Sequence, residues 1–440
     1  MANSRAMRAS ARARLASNAD WAFHASDAAV FEALATGRHA ASLREYFGAP
    51  AYVELSALAA ASKKAGRARG PYVLILPGIM GSKLGGRMPR AGTRKVSRRS
   101  QVLWIDPLQI AAGRLTAMTL PSGIALEAMG VLLFSYAKLK LQLGLAGCDA
   151  DFYSYDWRRG VDELGAQLAA RIAADGRPVI LVAHSMGGLV ARAAARILPK
   201  RLLRKLIMLG TPNHGSYAPV QALRGTYPFV RNMSTLDRKH SAEHLAQHVF
   251  CTFPGLYHML PRPGPKGVDL FDHRCWPADG PAPSSQLLAA GAAAYAALAP
   301  ADSRMVHIVG VNQETVVDLR RCAAGFEYFM DRNGDGTVPL ESARLPKLKC
   351  LFVDESHADL ANNPRVIQAI IDLVRRGRTG ALPQRWRARP GVRRCISDAA
   401  LLALGNRKID WRHLTPAQRE AVFAELDSGR LLPAARHPIA

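Results

Sequence analysis

The chain of 440 residues contains no run of 18 or more uncharged apolar residues, which argues against a membrane-spanning helix. Its longest apolar stretch, Gly123 to Leu145, carries Glu127, Lys138 and Lys140, and reads as a helix of a soluble protein that lies at the surface. The N-terminus is basic but lacks the apolar segment of a secretory signal. The expected compartment is therefore the cytoplasm, with peripheral membrane contact open to the basic ends. Cysteine is sparse, with six residues expected to be thiols there. Cys251 and Cys275 are near enough in sequence to pair in an exported protein, yet nothing requires it. No zinc-ligand cluster, RNP-like strand or helix-turn-helix pattern is present, so neither a metal nor a cofactor is expected and nucleic acid is the weaker partner.

Acidic residues are also scarce, 34 against 59 Lys and Arg. Residues 1–100 carry 17 basic against 5 acidic side chains and residues 375–440 carry 14 against 5, so the ends hold 21 of the 25 net positive charges. Such ends would attract an anionic surface, phospholipid headgroups foremost; a solvated Arg-rich surface explains the same composition. The sequence sets no oligomeric state.

What is abundant is apolar, 49% of residues, arranged in short continuous runs. Tyr72–Leu76, Asp151–Tyr155, Pro178–Ala183, Lys205–Leu209, Met305–Val311 and Leu348–Val353 suit strands buried on both faces. Helical segments at Val161–Ala174 and Met186–Ile197 complete a βα alternation, predicting an α/β protein with a mostly parallel central sheet. Three regions follow: a basic helical extension over 1–70, a core over 71–375, and a basic tail over 376–440 with one helix at Thr415–Asp427. Residues 212–300, rich in Pro, Gly and His, read as an inserted cap or lid.

The strongest local signal is Val182-Ala-His-Ser-Met-Gly-Gly-Leu189, a strand running straight into a helix with Ser185 at the turn. Strand and helix approach so closely there that the flanking positions must be small, as Ala183 and Gly187 are. A serine hydroxyl is a weak nucleophile and needs a base, which needs an orienting acid. His357, in a loop after the last apolar strand, is the candidate base. Asp335, between two glycines in Asn333-Gly-Asp-Gly-Thr-Val-Pro339, is the candidate acid, with Asp331 and Asp318 behind it. The same segment mimics an EF-hand start but lacks the Glu that calcium requires at the twelfth position. The loop Pro77-Gly-Ile-Met-Gly-Ser82 and the residue after the serine would supply oxyanion donors, assigned to the N–H groups of Ile79 and Met186. His240, His244 and His248 recur on a helical period and read as lid surface or pocket lining, and His307 as core. Asp156 and Arg158 read as a pair that fixes a loop, and His184 as a packing residue beside the site.

PGIMGSKL (77–84), VLWIDP (102–107), YSYDWR (153–158), LVAHSMGGLVAR (181–192), LGTPNHGS (209–216), FPGLYHMLP (253–261) and GDGTVPLES (334–342) together resemble the lecithin:cholesterol acyltransferase family, which includes phospholipid:diacylglycerol acyltransferases. The resemblance implies an α/β-hydrolase fold with a lid over an acyl pocket and a Ser185, Asp335, His357 triad. It implies acyl transfer from a lipid ester to water or an alcohol through an acyl-serine. Residues 1–70 and 376–440 carry no family motif. An esterase or depolymerase for another hydrophobic ester, or a catalytically silent membrane-surface scaffold, are the alternatives.

Overall fold

The computed structural model describes residues 21–87, 100–121, 123–262, 267–404 and 408–415, with 418, 419 and 422. The helix expected at Thr415–Asp427 lies mostly outside these residues. After a single helical turn at Trp21–His24 come three helices, α1 (Asp27–Thr36), α2 (Ala40–Phe47) and α3 (Ala49–Ala65). The chain then enters β1 (Tyr72–Leu76), all five residues of which are buried.

Three short strands leave and return beside the core: β2 (Ser82–Gly86), β3 (Gln101–Trp104) and β4 (Glu127–Val131), with β2 pairing antiparallel to both others. Helix α4 (Leu133–Leu145) follows directly. The apolar stretch read as one surface helix is thus a strand and a helix. Leu133, Tyr136, Leu139 and Leu143 of α4 are buried in the cluster that also holds Phe47 and Leu55 of the N-terminal helices. Its lysines reach outward instead, Lys138 to Glu54 at 2.7 Å and Lys140 to Asp151 at 2.8 Å. The N-terminal helices are fixed to this layer by buried Lys83, whose Nζ donates to the carbonyl of Ala25.

The central sheet is completed by β5 (Asp149–Phe152), β6 (Val179–His184), β7 (Leu203–Leu209), β8 (Met305–Gly310) and, last in sequence, β11 (Lys349–Val353). Its order is β11-β8-β7-β6-β1-β5, every pairing parallel. Strand β5 begins two residues before its expected start and ends at Phe152. Beyond it Tyr155 leaves the sheet, its N–H donating to Ser82 Oγ. Helices α5 (Val161–Asp175) and α6 (Met186–Ile197) bridge consecutive parallel strands. This six-stranded parallel sheet, flanked by helices and carrying a serine on the sharp turn after β6, is the α/β-hydrolase arrangement.

Between β7 and β8 the chain forms helices Ala218–Leu223, Pro228–Leu236, Ala242–His248 and Ser285–Ala294 rather than a structureless loop. After β8 come β9 (Thr315–Cys322) and β10 (Gly325–Asp331), an antiparallel hairpin. Near the C-terminus, β12 (Arg394–Ser397) pairs antiparallel with β10, and the helix Asp398–Ala403 follows it. This part of the basic C-terminal segment is therefore built into a sheet.

Candidate active site

Ser185 sits between β6 and α6 with φ 54° and ψ −126°, a left-handed backbone that a non-glycine residue holds only under strain. The strain is kept by close approach on all sides. Gly187 tolerates no side chain, because a Cβ there would lie 2.5 Å from the carbonyl oxygen of Pro77.

His357, in the loop after β11, donates or accepts at both ring nitrogens. Its Nε2 lies 2.9 Å from Ser185 Oγ and its Nδ1 2.7 Å from Asp335 Oδ2. The Asp335 carboxylate is fully buried, and its Oδ1 accepts the backbone N–H groups of Thr337 (3.0 Å) and Val338 (2.7 Å). The Asp335 carbonyl also accepts the N–H of His357, so acid and base loops are locked together. Gly210, at the end of β7, is the floor beneath this contact: a Cβ would stand 2.9 Å from both Asp335 Oδ2 and His357 Nδ1. The other two acids fall elsewhere. Asp331 caps the N–H of Asn333 and Asp318 pairs with Arg393.

The loop 77–81 lies against the serine; a Cβ on Gly78 would be 2.9 Å from that of Ser185. Its N–H groups divide into used and free. That of Gly78 donates to Tyr136 Oη and that of Gly81 to the Gly78 carbonyl. Among the described residues the N–H groups of Ile79 and Met80 have no protein acceptor, and that of Met186, first residue of α6, has none within its helix.

Three aromatic side chains hold this loop in place. Tyr155 Oη donates to the Pro77 carbonyl at 2.6 Å, Trp104 Nε1 to the Met80 carbonyl at 2.8 Å, and Tyr136 takes the Gly78 N–H at 3.0 Å. Sequence reading missed Tyr136 and Trp104 as supports. Trp104 lies in the VLWIDP segment (102–107); nothing local marks Tyr136. Asp156 and Arg158 form the expected buried pair, with Arg158 Nη2 to Oδ2 at 2.7 Å, Nε to Oδ1 at 2.8 Å, and Nη1 donating to the Met118 carbonyl. Trp157 beneath them is wholly buried.

His184 makes two hydrogen bonds, Nδ1 with Tyr136 Oη and Nε2 with the carbonyl of His357, both at 2.9 Å. Burial foremost, then the neighbouring His357, push its imidazole down to about 3. It is thus neutral, so Nε2–H donates to the His357 carbonyl and Nδ1 accepts from Tyr136. His307 is buried within β8, and burial likewise takes it to about 3. His240, His244 and His248 stack ring on ring at 4.6 and 4.3 Å. Cys251 and Cys275 are free thiols, as are the other four cysteines.

Above Ser185 opens a largely apolar cavity of ≈ 510 Å³, within the size range of small-molecule sites. Trp104, Phe134, Tyr227, Phe229, Leu256 and Met259 line it, several of them from the segment between β7 and β8. A larger, more open cleft of ≈ 970 Å³, beside Arg67, Tyr72 and Arg177, lies at the opposite edge of the sheet, where β1 begins.

No curated protein matches the chain. Among solved structures it is similar to the Bacillus licheniformis lipase BlEst2 in propeptide form, at 15% identity and TM-score 0.35, covering 73% of this chain and about half (52%) of that one. It is also similar to the mature form of that lipase (16% identity, 69% and 92% covered, TM-score 0.35) and to phospholipase PlaB from Legionella pneumophila (10% identity, 69% and 60% covered, TM-score 0.31). The family model for lecithin:cholesterol acyltransferase matches residues 133–373. With that match over more than half its length, the chain belongs to the lecithin:cholesterol acyltransferase family.

Proposed function

We propose that the protein is a serine acyl hydrolase or O-acyltransferase that acts on lipid esters, phospholipid esters foremost, with Ser185 as nucleophile, His357 as base and Asp335 as its orienting acid. The observation that carries the reading is the unbroken hydrogen-bond chain Ser185–His357–Asp335 at the floor of an apolar cavity. Ser185 Oγ attacks the ester carbonyl carbon while His357 Nε2 takes the hydroxyl proton. The carbonyl electron pair moves to oxygen, and the N–H groups of Ile79 and Met186 are assigned to bind that oxyanion. Collapse expels the alcohol, which leaves with the proton from His357, and the acyl group remains on Ser185. Water or an acceptor alcohol then attacks by the same steps, releasing an acid or a new ester.

Supply of substrate from an anionic lipid surface fits the charge beside the cavity. Arg394 pairs with Glu314, a cavity-lining residue, and Arg385, Arg387, Arg389 and Arg393 follow one another on the same exposed stretch, with Val392 85% exposed among them. No described helix is long and apolar enough to cross a membrane. Binding to phosphatidylserine vesicles is expected to weaken as salt rises from about 0.05 to 0.5 M, and further in Arg385→Ala/Arg387→Ala. Salt-independent binding would show the charge to be idle.

The reaction is tested by mass spectrometry of products after incubation with a phospholipid and an acceptor alcohol. Free fatty acid marks hydrolysis and a new ester marks transfer. No product from any acyl ester, with folded protein, would overturn the reading in favour of a silent scaffold.

A further inference from the structure

The segment between Arg394 and Leu404 lies beyond the part of the chain that matches the family, which ends at residue 373. Nothing in its composition, one arginine and one aspartate among alanines and leucines, announces a role. Its position does. Ile396 of β12 and Leu401 of the following helix line the same cavity as Ser185, together with Val316 of β9 and Met330 of β10. The register explains how. Ile396 stands opposite Tyr328, and Met330 opposite Val316, so these side chains share one face of the three-stranded sheet β12-β10-β9.

The segment is held to this place by buried charge. Asp398 is 1% exposed and accepts from Arg224 Nε at 3.1 Å, from Tyr328 Oη at 2.7 Å and from the N–H of Phe326 at 3.1 Å. Arg224 belongs to the segment between β7 and β8, and Arg231 from the same segment donates to the carbonyls of Leu402 and Leu404. Further on, Lys408 Nζ donates to the carbonyls of Ser234 and Asp237, both at 2.7 Å, where the helix Pro228–Leu236 ends. A surface tail has no need of such anchoring, since an isolated buried carboxylate is costly without partners. A wall that must keep its shape against a ligand does need it.

We propose that residues 394–404 form the distal wall of the acyl pocket and set the length of acyl chain the enzyme accepts. The proposal rests on the reading of Ser185 as acyl carrier. Ile396 and Leu401 are then the length-determining residues, and Asp398 with Arg224 is the positioning pair behind them.

Two measurements test this. In the first, wild-type protein is treated with alkyl fluorophosphonates whose chain ends in a diazirine, and then irradiated. A chain long enough to cross the cavity should cross-link to the peptide holding Ile396–Leu401, and a short one should not. In the second, the ratio of kcat/KM for a four-carbon ester to that for a sixteen-carbon ester is compared between variants that pass a thermal-melting check. Leu401→Trp should raise the ratio at least about tenfold and Leu401→Ala should lower it, a tenfold change being about 1.4 kcal/mol of differential binding. Long-chain probes that label Ser185 but cross-link only elsewhere, or a ratio unmoved by both substitutions, would overturn the distal wall while leaving the acyl-enzyme reading intact. Failure of every probe to label Ser185 would strike at that underlying reading instead.

Discussion

At the scale of single residues, the site divides into groups that face the reacting centre and groups that hold them. Asp335→Asn leaves the shape in place but gives His357 Nδ1 a partner that no longer compensates the imidazolium; kcat should fall by about 10⁴. Asp331, which only caps a turn, should tolerate the same change with a few-fold effect, and steady-state kinetics of both variants ranks them. The reverse ranking would move the acid to Asp331. Tyr136→Phe removes the hydroxyl shared by the Gly78 N–H and His184, and should lower kcat about tenfold while leaving the fold intact by circular dichroism. Ser185 was legible in the sequence because a strand-to-helix turn of this sharpness demands small neighbours at fixed offsets. His357 was legible because it follows the last apolar strand. Tyr136 was not, since its contacts with Gly78 and His184 bridge 58 and 48 residues and leave no local spacing to read.

At the scale of elements, the strands that were legible are the ones buried on both faces, such as Tyr72–Leu76 and Val179–His184, where every residue is apolar or nearly so. The hairpin β9–β10 and strand β12 were not, because Asp318, Arg320 and Glu327 interrupt the apolar residues of the hairpin and β12 opens on Arg394. In a four-residue strand, pairing with β10 rather than propensity decides the structure. The stretch Gly123–Leu145 misled for the opposite reason: hydropathy is blind to the change of period at Leu132, where a strand gives way to a helix. The YDWR loop carries a prediction of its own. Asp156→Ala would strand the buried Arg158 guanidinium and should cost about 3–5 kcal/mol by urea unfolding. A cost under about 1 kcal/mol would show that the pair is solvated in solution.

For the whole molecule, the buried neutral histidines set a pH dependence. In the unfolded chain His184 and His307 take up protons near 6.5, whereas in the folded protein burial holds both down to about 3. Between those values the unfolded state binds more protons. Their contribution is therefore whole above pH 6.5 and is lost as pH falls, by about 1.4 kcal/mol per unit for each histidine. Denaturation midpoints taken from neutral pH downward should fall accordingly, and His307→Asn should flatten the slope; equal slopes in both proteins would contradict the assignment for His307.

At the same scale, the parallel sheet, the segment between β7 and β8 and the C-terminal β12 converge on one cavity with a strained serine at its base. That the molecule acts through an acyl-serine is tested most directly with a fluorophosphonate probe and peptide mass spectrometry. The wild-type protein should carry the adduct on Ser185 and Ser185→Ala should carry none, whereas equal labelling of the two proteins would contradict the account.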